Sequence, residues 1–205
     1  MALNYKLNKE AFIPESCGKN QIMRIITGTA RGTRLETLEG ETTRPTSERT
    51  KEAVFSMLQF DIEGKNVLDL FGGSGQLALE ALSRGAVSAY ITDSDQAACE
   101  IIKRNAKKTR LFEKTKVLCC DYKSVIKNLS GREKFGIVFL DPPYKSNFIT
   151  DALQRLTEAN LISDGGFVIC ESDVTAPFSY PGFALQKHAK YGKAFITILR
   201  KECQS

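Results

Sequence analysis

The alternation of short apolar runs with amphipathic stretches constrains this fold more than any other feature of the chain. It begins after Gly64, and glycines separate several of its segments. The predicted strands cover residues 66–70, 87–92, 116–119, 135–140 and 166–171, and the predicted helices cover residues 76–84, 95–108, 122–129 and 147–159. Such an alternation is typical of a mostly parallel sheet covered by helices, so the chain predicts an α/β fold.

Each end of this pattern adds a predicted hairpin. Near the C-terminus, strand-like runs at 183–187 and 194–199 flank the turn Tyr191-Gly192-Lys193 and predict an antiparallel pair. Near the N-terminus, the runs 24–27 and 33–35 are separated by a turn with a glycine at each end and predict a second hairpin. We therefore expect a seven-stranded, mostly parallel sheet that ends in an antiparallel hairpin.

A helix is predicted between the N-terminal hairpin and the sheet, ending near residue 59. Thr46 or Ser47 can cap its first turn, because a side-chain oxygen there accepts from a free backbone N–H. The expected apolar face consists of Ala53, Val54, Met57 and Leu58.

The chain length of 205 residues suits one main domain with a small addition. We expect three parts. Residues 1–22 form an extension without periodicity that we expect to be flexible, residues 23–62 form the hairpin and helix, and residues 63–205 form the α/β domain.

Composition excludes several classes of protein. The 29 basic against 24 acidic residues give a net charge of +5, which is too mild to demand nucleic acid by itself. The six cysteines contain no CxxC pair and are expected to be reduced thiols of a cytoplasmic protein. No apolar run reaches the roughly 20 residues that span a bilayer, so no membrane partner is expected. No cluster of ligand residues predicts a metal, and the single histidine, His188, receives no role.

The first predicted strand runs into a glycine-rich turn, Asp69-Leu-Phe71-Gly-Gly73-Ser-Gly75, that opens a helix. Glycines there let the main chain approach a nucleotide at a helix N-terminus. Taken as Gly73-x-Gly75-x-x-Ala78, the turn also fits a dinucleotide fingerprint and a hydride-transfer enzyme. The glycines alone leave both interpretations open.

Three aspartates shift the balance toward a nucleoside that carries an amino acid. Asp69 would repel a pyrophosphate but attract an α-ammonium group. Asp93, after the second strand, can bind ribose hydroxyls of either cofactor, and Asp121, after the third, can accept from an adenine amine. The ordinary alternative for Asp93 and Asp121 is capping, because each precedes a predicted helix.

The fourth predicted strand ends in Asp141-Pro142-Pro143-Tyr144. Two prolines fix the backbone and remove two N–H donors, which leaves carbonyl oxygens as acceptors. A flat base could stack on Tyr144 while its amino hydrogens bond to Asp141 and to a proline carbonyl. This tetrapeptide therefore favours a flat, weakly nucleophilic amine such as the amino group of a base, although an ordinary exit from a strand into a loop remains the alternative.

The tetrapeptide and five further motifs give the chain a specific resemblance. These five motifs are Met23-Arg-Ile-Ile-Thr-Gly, Arg44-Pro45-Thr46, Leu68-Asp-Leu-Phe-Gly-Gly-Ser-Gly, Leu79-Glu-Ala-Leu-Ser-Arg-Gly-Ala86 and Tyr191-Gly192-Lys193. Over roughly residues 23 to 200 the chain resembles the bacterial 16S ribosomal RNA guanine-N2 methyltransferase D family, within the Rossmann-like class I methyltransferases. Two positions depart from the family pattern. Gly72 replaces a small non-glycine residue, and Ala78 replaces a glycine.

The resemblance implies transfer of a methyl group from S-adenosylmethionine to the N2 amine of one guanine in 16S ribosomal RNA, within a small-subunit particle or an assembly intermediate. The implied cofactor residues are Asp69, Phe71, Gly73, Gly75, Asp93 and Asp121. The implied catalytic residues are Asp141, Pro142, Pro143 and Tyr144. In the segment 23–62, the expected RNA contacts are Arg24, Arg31, Arg34, Arg44, Thr46 and Lys51.

Three other functions stay open on the sequence. A methyltransferase acting on the N6 amine of adenine in DNA or RNA would use the same tetrapeptide. A nicotinamide-dependent oxidoreductase would use the glycine-rich turn. A noncatalytic RNA-binding assembly module would have the same fold without the enzymatic activity. A protein glutamine methyltransferase is disfavoured because that class resembles this chain less well, with Asn expected in place of Asp141.

Overall fold

A computed structural model describes residues 23–38, 48–143 and 147–203. The predicted extension 1–22 lies outside these residues, as do three candidate site residues, Arg44, Thr46 and Tyr144. Within the described residues, no helix is long and apolar enough to cross a bilayer. The five cysteines in this part of the chain are all free thiols.

A seven-stranded sheet forms the centre of the molecule. Its strands are β1 (Asn66–Asp69), β2 (Ser88–Asp93), β3 (Thr115–Cys119), β4 (Phe135–Leu140), β5 (Ile162–Ser172), β6 (Phe183–Tyr191) and β7 (Ala194–Lys201). Their order across the sheet is β3-β2-β1-β4-β5-β7-β6. Strands β1 to β5 are parallel, and β7 runs antiparallel to both β5 and β6. The predicted Rossmann-like sheet with a terminal antiparallel hairpin is confirmed.

Five α-helices accompany the sheet in the described residues: α1 (Glu48–Met57), α2 (Gln76–Ser83), α3 (Gln96–Lys108), α4 (Tyr122–Leu129) and α5 (Phe148–Glu158). The core is divided between the two faces of the sheet. Helices α1, α2 and α3 contribute to the core on one face, and α4 and α5 to the core on the other. Alternate residues of β4 supply the two cores, with Ile137 and Phe139 on the first face and Val138 and Leu140 on the second.

The N-terminal segment packs into the first core. Ile25, Leu35 and Phe55 are buried there together with residues of α2. The buried carboxylate of Glu80 in α2 accepts hydrogen bonds from the backbone N–H groups of Ile26 at 2.7 Å and Thr27 at 3.0 Å. These contacts fix the N-terminal turn on the outer surface of α2.

Gly28 is the point of closest approach between this turn and α2. Its φ is +87°, and a Cβ placed on it would lie 1.8 Å from the carbonyl oxygen of Ser83. The Ser83 hydroxyl donates to the Thr27 carbonyl at 2.6 Å and accepts from the Ala30 N–H at 2.9 Å. A glycine is therefore required here by both backbone conformation and space.

Three details differ from the sequence prediction. The N-terminal hairpin contains a single antiparallel bridge, Arg24 to Arg34, in place of two strands. Helix α1 buries Phe55 fully, whereas Met57 is 39% exposed, so the predicted apolar face was wrong at that position. Strand β5 begins at Ile162, before its predicted start at residue 166, because a bulge against β4 accommodates Gly165 within the strand.

Candidate active site

The carboxyl ends of β1 to β4 meet at one edge of the sheet. Asp69 at the end of β1 pairs in register with Phe139 of β4, and Asp93 at the end of β2 pairs with Cys119 of β3. Asp141 lies two residues beyond Phe139, beside the loop that leaves β1. The parallel register therefore brings the predicted cofactor acids and the proline-rich segment to one edge.

The glycine-rich turn has the backbone conformation that its sequence predicts. Gly73 and Gly75 have φ values of +53° and +78°, in the left-handed region that favours glycine. The Gly75 N–H donates to the Gly72 carbonyl at 2.6 Å, and α2 begins at the next residue. A Cβ on Gly73 would meet nothing within 4 Å, so this side of the turn has room for a ligand.

Gly72, one of the two departures from the family pattern, lies against β2. A Cβ placed there would be 2.5 Å from Cγ2 of Ile91, and the Gly72 N–H donates to the Thr92 carbonyl at 2.7 Å. In this chain, Ile91 therefore occupies the space that a larger residue at position 72 would need. Ala78, the other departure, is fully buried in the first core.

Asp93 connects the glycine-rich turn to β2. Its carboxylate accepts from the Gly73 N–H at 2.9 Å and from the Asp95 N–H at 2.9 Å. The N-cap of α3 is Asp95, which accepts from the Ala97 N–H. The capping alternative for Asp93 is therefore wrong, and its half-exposed carboxylate borders the space in front of the turn.

Asp69 is the buried acid of this edge, with 1% of its surface exposed. Burial raises its pKa from 3.8 to about 7, and the nearby charge of Asp93 adds to the rise. Backbone N–H groups, including that of Phe71 at 3.4 Å, oppose it by stabilising the carboxylate. No described residue forms an ion pair with Asp69. A cation entering the turn would therefore gain a buried partner.

Asp121 is exposed and caps α4. Its carboxylate accepts from the backbone N–H groups of Lys123 at 3.0 Å and Ser124 at 3.1 Å, and from the Ser124 hydroxyl at 2.6 Å. The hydroxyl bond from Ser124 is the main reason that the pKa of Asp121 lies below its ordinary value. The capping alternative is thus observed for this residue, and its cofactor role stays a prediction.

Phe71 belongs to an aromatic cluster that the sequence did not reveal. Its ring centroid lies 5.4 Å from that of Tyr122 and 5.9 Å from that of Phe148. The Tyr122 hydroxyl donates to Asp151 at 2.6 Å. The cluster joins the loop that follows β1 to the first turns of α4 and α5.

The proline-rich segment follows a strand whose six residues are all buried. Asp141 is half-buried, Pro142 is buried and Pro143 is exposed. The segment therefore reaches the surface within three residues of the sheet edge. Tyr144 lies outside the described residues, and its stacking role stays a prediction.

The described arginines of the N-terminal segment are exposed. Arg24 forms a two-point ion pair with Glu48, with nitrogen to oxygen distances of 2.8 and 3.2 Å. Arg31 and Arg34 are exposed and form no ion pair with a described residue. Both are available to an external anion.

Lys51 does not fit the predicted RNA contact. It is 1% exposed, and its ammonium donates to the Arg24 carbonyl at 2.5 Å and lies 3.6 Å from Glu80. Burial lowers its pKa, while Glu80 opposes that change. The prediction was wrong because α1 turns this position toward α2, where a buried carboxylate receives it.

Asn105 of α3 is a further residue that sequence reasoning missed. Its fully buried amide donates to the carbonyl groups of Ser74 at 2.9 Å and Glu36 at 3.0 Å. Its oxygen accepts from the Glu36 N–H at 2.8 Å. Asn105 therefore joins the glycine-rich turn to the N-terminal segment. A buried polar residue on an otherwise apolar helical stripe was the available signal.

Comparison with known proteins identifies the family of this chain. A family model described as Conserved hypothetical protein 95 matches residues 23–200. The Bacillus subtilis protein YlbH is 34% identical, covering 87% of this chain and 99% of that protein. Ribosomal RNA small subunit methyltransferase D of Haemophilus influenzae is 32% identical, covering 78% of this chain and 83% of its own.

A solved structure supports the same assignment. The structure of the Escherichia coli protein yhhF has a TM-score of 0.79 and 28% identity, covering 89% of this chain and 99% of that one. The resemblance stated from the motifs is therefore confirmed. This chain belongs to the Conserved hypothetical protein 95 family, the family of ribosomal RNA small subunit methyltransferase D.

Proposed function

We propose that this protein transfers a methyl group from S-adenosylmethionine to the N2 amine of one guanine in 16S ribosomal RNA. The observation that carries the proposal is the placement of Asp69 and the glycine-rich turn beside Asp141 at one sheet edge. The substrate follows from the relatives, since the Haemophilus influenzae relative is named for small-subunit ribosomal RNA. Membership of a methyltransferase family also argues against the nicotinamide-dependent oxidoreductase alternative.

The residues around the turn fit S-adenosylmethionine. Asp69, whose raised pKa reflects an uncompensated buried carboxyl, would receive the α-ammonium group. The open side of Gly73 and the N-terminus of α2 would face the nucleoside, and Asp93 would accept from the ribose hydroxyls. Asp121 would accept a hydrogen bond from the adenine amine through the carboxylate lone pairs that the capping of α4 leaves free. The bound sulfonium supplies an electrophilic methyl group.

At the target, Asp141 would accept one amino hydrogen and the Pro142 carbonyl the other. These two bonds draw the nitrogen toward tetrahedral geometry and direct its lone pair, which is otherwise delocalised into the ring. After transfer the nitrogen is cationic and loses a proton to Asp141 or to water. Most of the acceleration would come from in-line positioning, for which well-oriented reactions gain about 7–11 kcal/mol.

The RNA contacts that we propose are Arg24, Arg31 and Arg34, with Arg44 and Thr46 added from outside the described residues. Lys51 is withdrawn from this set because it is buried. Residues 23–62 would therefore hold the RNA, and residues 63–205 would hold the cofactor and target base. A small-subunit particle or assembly intermediate in the cytoplasm is the proposed setting, with no metal required.

The decisive experiment uses ribosomal RNA from cells that lack this protein. Purified wild-type protein should incorporate a labelled methyl group, and nucleoside mass spectrometry should identify N2-methylguanosine. Asp141→Ala should reduce incorporation by at least a hundredfold, in the range expected when a positioned acid–base group is lost. N6-methyladenosine as the product would establish the adenine alternative, and full activity of Asp141→Ala would contradict the role of this carboxylate.

A further inference from the structure

The amino ends of the parallel strands form a second sheet edge, opposite the candidate active site. The Lys65 carbonyl, just before β1, accepts from the Val87 N–H at 2.9 Å, just before β2. The Lys134 carbonyl, just before β4, accepts from the Asn66 side chain at 3.5 Å. The loops that enter β1, β2 and β4 are therefore neighbours, and the loop that enters β3 adjoins β2 through the strand pairing.

Exposed cations cover this edge. Seven basic side chains, all exposed, lie in the loops that enter β1, β3 and β4 or in the last turn of α3, and we call them the amino-edge band: Lys65, Lys107, Lys108, Arg110, Lys114, Arg132 and Lys134. Four carboxylates lie in the same loops: Asp61, Glu63, Glu113 and Glu133. The band therefore carries a local excess of positive charge.

The cations of the band are available to an external anion. No ion pair within 4.0 Å joins any of the seven to another described residue. Elsewhere, Arg104 and Arg155 are paired with carboxylates at 2.7 Å. Among the nearby carboxylates, Glu133 already accepts from the Tyr90 hydroxyl and lies 3.8 Å from Lys116. Local acids thus leave a net excess of positive charge on the band.

An exposed aromatic ring lies within the band. Phe112 is 40% exposed, and the Lys107 ammonium lies 5.3 Å from its ring centroid. Cations combined with an exposed ring fit nucleic acid, which offers phosphates to the cations and bases to the ring. An acidic protein surface would match the cations but would leave the ring without a comparable partner.

We propose that the amino-edge band binds the phosphate backbone of a second RNA segment, separate from the one that carries the target base. The inference rests on the proposed function. Strands β2 and β4 each have six residues, so the two edges are about 20 Å apart at ~3.3 Å per residue. An RNA held at the active site that spans less than this distance does not reach the band. The preferred substrate is therefore a folded RNA that presents segments to both edges.

The test compares two variants with equal changes in charge. Lys108→Glu/Lys134→Glu reverses exposed lysines at the two ends of the band, and Lys187→Glu/Lys190→Glu reverses exposed lysines on β6 as the control. Binding is measured against salt concentration for intact small-subunit ribosomal RNA and for a short hairpin that carries only the target base. Thermal melting checks that both variants are folded.

For the intact RNA, the band variant should lower the slope of log affinity against log salt by about two, or about one for each phosphate that is no longer bound. Its slope and methyl transfer on the short hairpin should match the wild type, and the control variant should match it on both RNAs. The inference is overturned if band and control variants bind the intact RNA alike, or if the hairpin loses as much affinity as the intact RNA. Wild-type protein that binds with the steep slope but transfers no methyl group would refute the proposed function and leave the band intact.

Discussion

At the scale of single residues, the ligand contact that we propose for Asp69 comes at the expense of the stability of the ligand-free fold. Its pKa is about 7 in the folded protein against 3.8 in the reference state. Between about pH 4 and 7, the folded protein therefore keeps a proton on Asp69 that the unfolded chain has already released. The stability that this group contributes is complete below that range and is lost as the pH rises through 7. Its loss approaches about 1.4 kcal/mol per pH unit within the range.

Asp69→Asn should therefore make the ligand-free protein more stable than the wild type at pH 8, with a much smaller difference at pH 4. The amide keeps an oxygen acceptor for the Phe71 N–H but carries no charge. Urea unfolding at the two pH values measures this difference, with exposed Asp173→Asn as the control. The same variant should lose affinity for S-adenosylmethionine in calorimetry. A stability difference that does not change with pH would contradict the assigned pKa.

Asp121 combines a cap with a predicted ligand contact, and two substitutions separate these roles. Asparagine caps helices about as well as aspartate, whereas alanine removes the accepting oxygen. Asp121→Asn should keep the wild-type melting temperature and weaken cofactor binding, while Asp121→Ala should lower both. Scanning calorimetry with and without S-adenosylhomocysteine distinguishes them. If Asp121→Asn binds the cofactor like the wild type, the residue is a cap only.

At the scale of elements, Asn105 holds α3, the glycine-rich turn and the N-terminal segment in one arrangement. Asn105→Ala leaves the carbonyl groups of Ser74 and Glu36 without these donors and should destabilise the protein by about 2–4 kcal/mol. Urea unfolding measures the loss, and exposed Asn128→Ala on α4 is the control. Cofactor affinity should fall as well, because Ser74 belongs to the turn. Equal stability of the two variants would contradict this role.

At the scale of the whole molecule, a ligand that binds only the folded state stabilises it by an amount that depends on concentration. At one hundred times the dissociation constant the gain is about 2.7 kcal/mol. S-adenosylhomocysteine should therefore raise the melting temperature of the wild-type protein, and Asp69→Asn should reduce this shift. NADH should leave the melting temperature unchanged. A shift with NADH and none with S-adenosylhomocysteine would contradict the proposed cofactor.

The parts of the fold that sequence could predict are those governed by local patterns. Strand β4 and helix α4 have the predicted bounds, because an apolar run and a capped amphipathic stretch each define their own ends. The placement of the acids at one edge of the sheet could also be predicted, because parallel strands bring their carboxyl ends together.

What sequence could not predict depends on partners that are distant along the chain. Lys51 carries the charge of a surface residue, and only the position of Glu80 in α2 makes it a buried one. Phe71 meets Tyr122 and Phe148 through tertiary packing alone. Strand β5 begins before its predicted start at residue 166 because pairing with β4 extends the strand through Gly165.

The tight approach of Gly28 to α2 has a consequence for the order in which the chain assembles during synthesis. Residues 27 to 30 leave the ribosome before Ser83, yet Ser83 supplies their hydrogen-bond partners, 53 residues further along in the case of Ala30. These hydrogen bonds between the N-terminal turn and Ser83 must therefore wait until α2 has emerged and formed. The N-terminal turn is made early and completed late.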